Sequence, residues 1–282
     1  MKDNEVREYL LTNIVNAAIH GGAAVMEVYT QPEIFDITLK SDKSPITEAD
    51  RRAHTTIKES LGATRIPILS EEGREMLYEE RENWDLFWLV DPLDGTVEFI
   101  NHSDEFTVNI ALMHKKRCVL SVVYVPSINR LFLASNNDFG SFVCEDIKPD
   151  FNASFSYSEI MDKCIKLPLQ QEARESQIVA ISRSHNTPET FEHIEKLRLA
   201  NPSIEIVEQG SSYKFCMLAE GSVDYYIRTS STYEWDTAAG ELILSEAGGS
   251  TRSLHMDEPL AYNKENLDNP WFVCRGAYCT IK

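Results

Sequence analysis

The chain has 282 residues, 43% of them hydrophobic and 26% charged, with 27 Lys and Arg against 45 Asp and Glu. That balance excludes a disordered or collagen-like polypeptide, and the length allows a full core without disulfide or metal staples. A net charge of −18 excludes binding along DNA or RNA by a basic face, yet admits a small anionic ligand where cations or a metal collect.

In chain order, Val6, Leu10, Ile14, Ala17, Ala18, Gly21, Val25 and Val28 recur at helical spacing and predict an amphipathic helix over residues 4–29. A second helix over 47–61 turns Ala49, Ala53, Ile57 and Leu61 inward. Ile66 to Leu69 reads as a short strand running into Ser70-Glu71-Glu72-Gly73, and Leu86 to Val90 as a buried strand running into Asp91. A β-meander follows: Phe106–Met113, Val119–Val125 and Arg130–Ala134, turning at His114-Lys115-Lys116-Arg117 and Pro126-Ser127-Ile128-Asn129. Residues 136–176 are polar and irregular and read as hairpin and loop.

From there the rhythm alternates. Strand Ile178–Ser182, helix 188–199, strand Ile204–Val207, helix 211–220, strand Val223–Arg228, helix 236–247 and strand Trp271–Arg275 follow one another. The change of rhythm predicts two lobes, 1–178 and 179–282, of α/β or α+β type packed in layers. The first ten residues carry Asp3, Glu5 and Glu8 and lack the basic and apolar regions of a signal peptide. No apolar run nears the roughly 18 residues of a membrane span. Cys118, Cys144, Cys164, Cys216, Cys274 and Cys279 form no Cys-x-x-Cys pair, which predicts reduced, scattered thiols in the cytoplasm.

The most informative string is Trp88-Leu89-Val90-Asp91-Pro92-Leu93-Asp94-Gly95-Thr96. Pro92 is expected to end the ladder at Asp91, and Gly95 to allow a tight turn. Two carboxylates with the Leu93 carbonyl between them make an oxygen-only set suited to Mg²⁺, and the Gly95 and Thr96 N–H groups face the same point. An Asx-turn explains that spacing equally well by itself. Three other acidic stations lie at element ends: Glu71, after a strand; Asp236 in Trp235-Asp236-Thr237-Ala238-Ala239-Gly240; and Asp50 in Ser44-Pro45-Ile46-Thr47-Glu48-Ala49-Asp50. Asp236 could be a helix cap, and Thr47 with Asp50 a capping box. Taken together, such a cluster must bind cations or repel itself. Carboxylates holding Mg²⁺ beside backbone donors suit phosphate-ester hydrolysis. No Ser-His-Asp set, P-loop or GxGxxG string is legible, and no Cys/His spacing suggests zinc.

The Asp91–Thr96 and Trp235–Gly240 strings, with Glu71 upstream, resemble the lithium-sensitive, Mg²⁺-dependent phosphatases of the inositol monophosphatase superfamily over roughly residues 10–275. Within it the chain is most similar to 3'(2'),5'-bisphosphate nucleotidases of the CysQ type. The pointers are the Ser44–Asp50 string, Glu98-Phe99-Ile100, Ser182-Arg183-Ser184-His185 and Gly210-Ser211-Ser212-Tyr213-Lys214-Phe215-Cys216.

The resemblance implies a layered α-β-α-β-α sugar-phosphatase fold. In it Glu71, Asp91, Asp94, Asp236 and the Leu93 carbonyl would hold two or three Mg²⁺ ions. Asp50 and Thr96, with Glu71, would position and activate water. Gly95 and Thr96 would hold the scissile phosphate, and His185, Ser211, Lys214 and Arg228 would meet the nucleotide. The implied reaction converts adenosine 3',5'-bisphosphate and water to AMP and phosphate, in a monomer or homodimer. Val97 stands where many such sequences carry Lys. Read without the family, Lys214 could be a solvated helix face, Arg228 a partner for a surface acid and His185 a loop histidine. Two other readings stay open: an inositol or sugar monophosphatase, and a non-catalytic protein that binds metal and nucleotide.

Overall fold

The structure, a computed structural model, describes residues 4–31, 37–39 and 45–281; Ser44 lies outside them. The N-terminal apolar periodicity folds as helix α1 (Asn4–Tyr29). Strands β1 (Ile37–Leu39) and β2 (Pro45–Thr47) pair antiparallel, and helix α2 (Glu48–Leu61) follows at once. Thr47 starts it with a capping box: its hydroxyl accepts from the Ala49 N–H, and Asp50 accepts from the Thr47 N–H.

The first half continues with β3 (Ile68–Ser70), α3 (Tyr78–Arg81), β4 (Leu86–Asp94), α4 (Thr96–Ile100), β5 (Thr107–His114), β6 (Arg117–Val125), β7 (Arg130–Ser135), β8 (Gly140–Cys144), α5 (Tyr157–Met161) and β9 (Cys164–Lys166). Seven of these strands form one sheet in the order β3-β4-β5-β6-β7-β8-β9. Only β3 and β4 run parallel in it. Residues 136–176, expected as hairpin and loop, supply the last two strands of this sheet, β8 and the edge strand β9, and α5. Cys144 and Cys164 sit opposite each other on β8 and β9 and are joined as a disulfide, which corrects the expectation of six free thiols. Strand register makes the pair, and spacing along the sequence does not display register.

The second half comprises β10 (Ile178–Ser182), α6 (Pro188–Ala200), β11 (Glu205–Gln209), α7 (Tyr213–Glu220), β12 (Tyr225–Arg228), α8 (Glu234–Glu246), β13 (Ser250–Ser253) and β14 (Phe272–Arg275). Its five-stranded sheet runs β11-β10-β12-β14-β13. Strand β10 is parallel to both its neighbours and β14 antiparallel to both of its own. The edge strand β13 and the short elements α3 and α4 were not expected from the sequence. Each is too short for a periodicity to show.

Three apolar cores define five layers. Ile14, Val25, Ala53 and Ile57 of α1 and α2 pack on Val108, Val122 and Tyr124 of the first sheet. That sheet's other face (Phe87, Leu89, Val123, Phe132) meets Phe215, Leu218, Ile243 and Leu244 of α7 and α8, which in turn cover Tyr226, Phe272 and Cys274 of the second sheet. Beyond it, Val179, Ile181, Tyr225 and Val273 pack against Ile194 and Leu197 of α6. The order is helix, sheet, helix, sheet, helix. Small residues make the central layer possible. A Cβ on Gly240 would sit 2.6 Å from the Phe215 ring, so α7 and α8 approach only because that position carries none.

Candidate active site

The central strand positions the first carboxylates. Asp91 pairs with Asn109 and Asp94 with Thr107, so three steps on β4 oppose two on β5. That extra residue is a bulge, which re-aims side chains where regular pairing would alternate them. Pairing thus continues past Pro92 to Asp94 and does not stop at Asp91 as expected; proline is tolerated because it falls in the bulge. Ser70 pairs with Val90 on the parallel neighbour, and the Glu71 N–H donates to the Val90 carbonyl at 3.1 Å. Glu71 therefore leaves β3 beside Asp91. Asp236 comes from the opposite layer. It occupies the third position of α8, not the first, and accepts from the Tyr233 N–H at 2.9 Å.

These residues line one cavity of about 240 Å³. Burial, then the charges of Glu71, Asp94 and Asp236, hold the Asp91 carboxyl well above the usual carboxylate range. Burial, then Asp94 and Glu71, do the same to Asp236. Burial raises Asp94 as well, while Lys214 and the Ser212 N–H pull it back. Asp50 lies just behind the cavity wall. One of its oxygens accepts from the Thr47 N–H and hydroxyl at 2.7 and 2.6 Å, and the Thr96 hydroxyl reaches the other at 3.4 Å. Burial pushes Asp50 up to about 7 despite those bonds. The capping-box and site readings of Asp50 are compatible, one oxygen for each.

Among the described residues no three His, Cys, Asp or Glu side chains close into a finished metal-ligand cluster. The donor set nevertheless fits a hard divalent cation. It is oxygen only, and buried acids that raise one another's pKa are relieved by a cation. Glu71, Asp91, Asp94, Asp236 and the Leu93 carbonyl would hold it.

The facing wall is cationic. Arg228 donates to the Ser231 carbonyl at 3.2 Å, and its buried Nε finds no partner among the described residues. That is an orphaned donor, of the kind an anion satisfies. Arg228 also makes no ion pair among the described residues, so pairing with a surface acid does not account for it. Lys214 is 2% exposed, which removes the solvated-face alternative. Its ammonium donates to the Gln209 and Ser211 carbonyls at 2.8 and 2.7 Å. Burial, then Arg228, lowers its pKa to about 7 against the pull of Asp94, Glu98 and Glu105. His185, in the same wall, is lowered chiefly by burial and then by Arg228. Ser211 and Gly95 line it too, both at positive φ (50° and 91°).

Every expected site residue lines this cavity except Asp50, which joins it through Thr96. The sequence reading passed over Glu98, buried and accepting from the Ser184 hydroxyl at 2.6 Å, and Ser212, whose N–H donates to Asp94. It also passed over Ser182, Tyr226 and Phe272, which line the cavity as well. Tyr226 and Phe272 carry no spacing signal. Glu98, Ser182 and Ser212 had one available, since each belongs to a string quoted above.

Fold and site together define a phosphatase scaffold, and the chain belongs to the inositol monophosphatase family, whose model matches residues 6–270. Phosphatases of this family are metal-dependent, in keeping with the donor set. The chain is 36% identical over 266 residues to the 3'(2'),5'-bisphosphate nucleotidase CysQ of Shigella flexneri, covering 93% of this chain and 98% of that one. It is 34% identical over 276 residues to the enzyme of the same description from Haemophilus influenzae, covering 96% and 94%. The crystal structure of CysQ from Bacteroides thetaiotaomicron, a bacterial member of the family, matches with a TM-score of 0.87 and 39% identity, covering 97% and 99%.

Proposed function

We propose that this chain is a Mg²⁺-dependent phosphomonoesterase that removes the 3'-phosphate of adenosine 3',5'-bisphosphate, giving AMP and inorganic phosphate. The observation that carries the proposal is one cavity with walls of opposite character. Four carboxylates, that of Asp91 fully buried, and a carbonyl face the Arg228 guanidinium and its unpartnered Nε. A substrate with two phosphates satisfies both walls. The curated relatives support the nucleotide, and 3'-phosphoadenosine 5'-phosphosulfate, bearing the same 3'-phosphate, is a second candidate.

Two or three Mg²⁺ ions held by Glu71, Asp91, Leu93, Asp94 and Asp236 would supply charge neutralisation and a more acidic water. The chain's own residues do the rest. Asp50 accepts the proton of the attacking water, its carboxyl lifted by burial above the usual carboxylate range. Thr96, within reach of Asp50 and of the Leu93 carbonyl at 3.3 Å, orients that water. The Gly95 and Thr96 N–H groups hold the scissile phosphate. Arg228 takes the second phosphate, and His185 and Ser211 flank the adenosine. Lys214 fixes residues 209–211 through two carbonyls and adds positive potential. In this reading residues 1–178 carry most of the metal ligands and residues 179–282 carry Asp236 and the nucleotide side of the site, and Li⁺ inhibits. Val97 lines the cavity without a charge and favours a second reading, an inositol or sugar monophosphatase on the same scaffold.

Phosphate release separates the readings. The panel is adenosine 3',5'-bisphosphate, 3'-phosphoadenosine 5'-phosphosulfate, inositol 1-phosphate, fructose 1,6-bisphosphate and AMP, each with and without Mg²⁺. The adenosine bisphosphate is expected to lead by about a hundredfold in kcat/KM, roughly 2.7 kcal/mol of discrimination. A lead by inositol 1-phosphate supports the second reading. Release no faster than from Asp94→Asn defeats both.

A further inference from the structure

A second cavity, about 750 Å³ in volume, lies at the far end of the central sheet from the catalytic one. Strand β5 joins them: Thr107 pairs with Asp94 at one end, and His114 opens the second cavity at the other. Helix α8 joins them as well. Asp236 and Thr237 line the catalytic cavity, whereas Glu241, Leu242 and Ser245 line the second. At about 1.5 Å per residue that is a separation of roughly 10 Å along one rigid element.

The mouth of this cavity is the turn His114-Lys115-Lys116-Arg117, all four exposed. Among the described residues none of the four enters an ion pair, although acids outnumber bases in the chain by 45 to 27. Lys115 and Lys116 both take positive φ, 46° and 65°. Two-residue hairpin turns of this kind favour Asn and Gly, so the lysines are held there at a conformational cost. The floor is apolar, made by the buried Val119, Leu242 and Leu260, with the exposed Pro259 and Ala261 beside it. Glu241 and Glu246 lie on the α8 side, so an anion finds its complement only at the turn. The volume is within the range that small-molecule sites occupy.

Inside, the chain is wired to the catalytic wall. The Tyr262 hydroxyl, in this cavity, bonds to the Glu241 carboxylate and lies 3.4 Å from the Thr237 hydroxyl. Thr237 follows Asp236 directly.

We propose that this cavity is an effector site for a small organic anion with an apolar or aromatic body, its charge against residues 114–117 and its body against Leu242 and Leu260, coupled to the catalytic cavity through α8. An occupant that shifts Glu241 or Tyr262 moves the first turn of α8, and Asp236 with it.

The test uses the full chain and 8-anilinonaphthalene-1-sulfonate, an aromatic monoanion, with fluorescence and calorimetry read together. Binding is expected at a stoichiometry of one and undisturbed by AMP plus phosphate in the catalytic cavity. It is expected to weaken at least tenfold in the double variant Lys115→Glu/Lys116→Glu and in Leu260→Trp, which fills the floor. Circular dichroism confirms that both variants are folded. At saturation the probe is expected to change kcat or KM for the best substrate at least twofold in the parent chain and not in the variants. Binding that survives both variants, or that AMP and phosphate displace, overturns the site. Full occupancy with kcat and KM unchanged overturns the coupling. Because binding is read without turnover, a chain inactive on every substrate would defeat the phosphatase reading and leave the binding arm decisive.

Discussion

At the scale of single residues, the site depends on positions where one atom decides the geometry. Gly95 is the clearest. Its φ is +91°, and a Cβ there would lie 2.9 Å from the Glu105 carbonyl and 3.2 Å from Ser211 Cβ. Neither neighbour yields cheaply, since one is backbone and the other is itself at positive φ. Gly95→Ala is expected to cost about 1–3 kcal/mol in chemical denaturation. It is also expected to lower kcat/KM more than tenfold, because the displaced turn carries Asp94 on one side and Thr96 on the other. A variant as stable and active as the parent would show that the turn has room to relax. Asp236 shows the opposite tension: burial and its acidic neighbours hold it well above the usual carboxylate range. At pH 8 the charged form is costly without a cation, so metal-free Asp236→Asn should melt above the metal-free parent while losing turnover.

At the scale of elements, the halves of the site are held in register by side chains that tie strands to helices. Arg130 on β7 bonds to Glu145 just past β8 at 2.8 Å, and to Glu220 and the Tyr213 hydroxyl on α7, both at 2.9 Å. Glu220 is largely buried, so Arg130→Ala leaves an uncompensated charge, expected to cost about 3 kcal/mol. Arg130→Lys is expected to restore only part, because an ammonium cannot serve three partners in the plane of a guanidinium. Equal stability of the Ala and Lys variants would show that the fork geometry contributes nothing. A comparable tie joins the loops over the cavity. Glu105 accepts from Arg183 at 2.6 and 2.7 Å and from the Gly210 N–H at 2.7 Å. The β4 bulge belongs to this scale as well, since it converts a regular strand into a carboxylate-bearing rim.

At the scale of the whole molecule, several buried acids titrate above their unfolded values, and Asp50 does so at about 7. For these groups the folded state binds more protons than the unfolded one above pH ~4. Their contribution is therefore fully present below that value and is lost as pH rises through the raised ones. Without divalent cations the protein is expected to be more stable near pH 5 than near pH 8, and the −18 net charge acts in the same direction. Mg²⁺ binds the deprotonated set and opposes this. At a hundred times its Kd it adds about 2.7 kcal/mol. The melting temperature should therefore rise with Mg²⁺ more at pH 8 than at pH 5. A melting point indifferent to Mg²⁺ at pH 8 would remove the metal site from this cavity. Among the described residues no helix is long and apolar enough to cross a membrane.

Much of this was legible in the amino-acid sequence, for local reasons. Apolar periodicity placed α1, α2 and the meander, because a helix or strand must bury one face wherever it ends up. Thr47 and Asp50 announced the start of α2, because capping acts across three residues. The acidic stations at Asp50, Glu71, Asp91, Asp94 and Asp236 could be marked because each stands at an element end. What the sequence left open was whether they meet. Parallel pairing of β3 with β4 sets Glu71 beside Asp91, the bulge aims Asp94, and the packing of α8 on the first sheet brings Asp236 across from some 140 residues away. The same long-range pairing joined Cys144 to Cys164 and buried Lys214 behind the loop it holds. The second cavity was invisible too, although its basic turn was legible, because its floor comes from β6, α8 and residues 259–262. Local order follows from backbone chemistry over a few residues. The site depends on register and layer packing, which exist only once the distant segments have met.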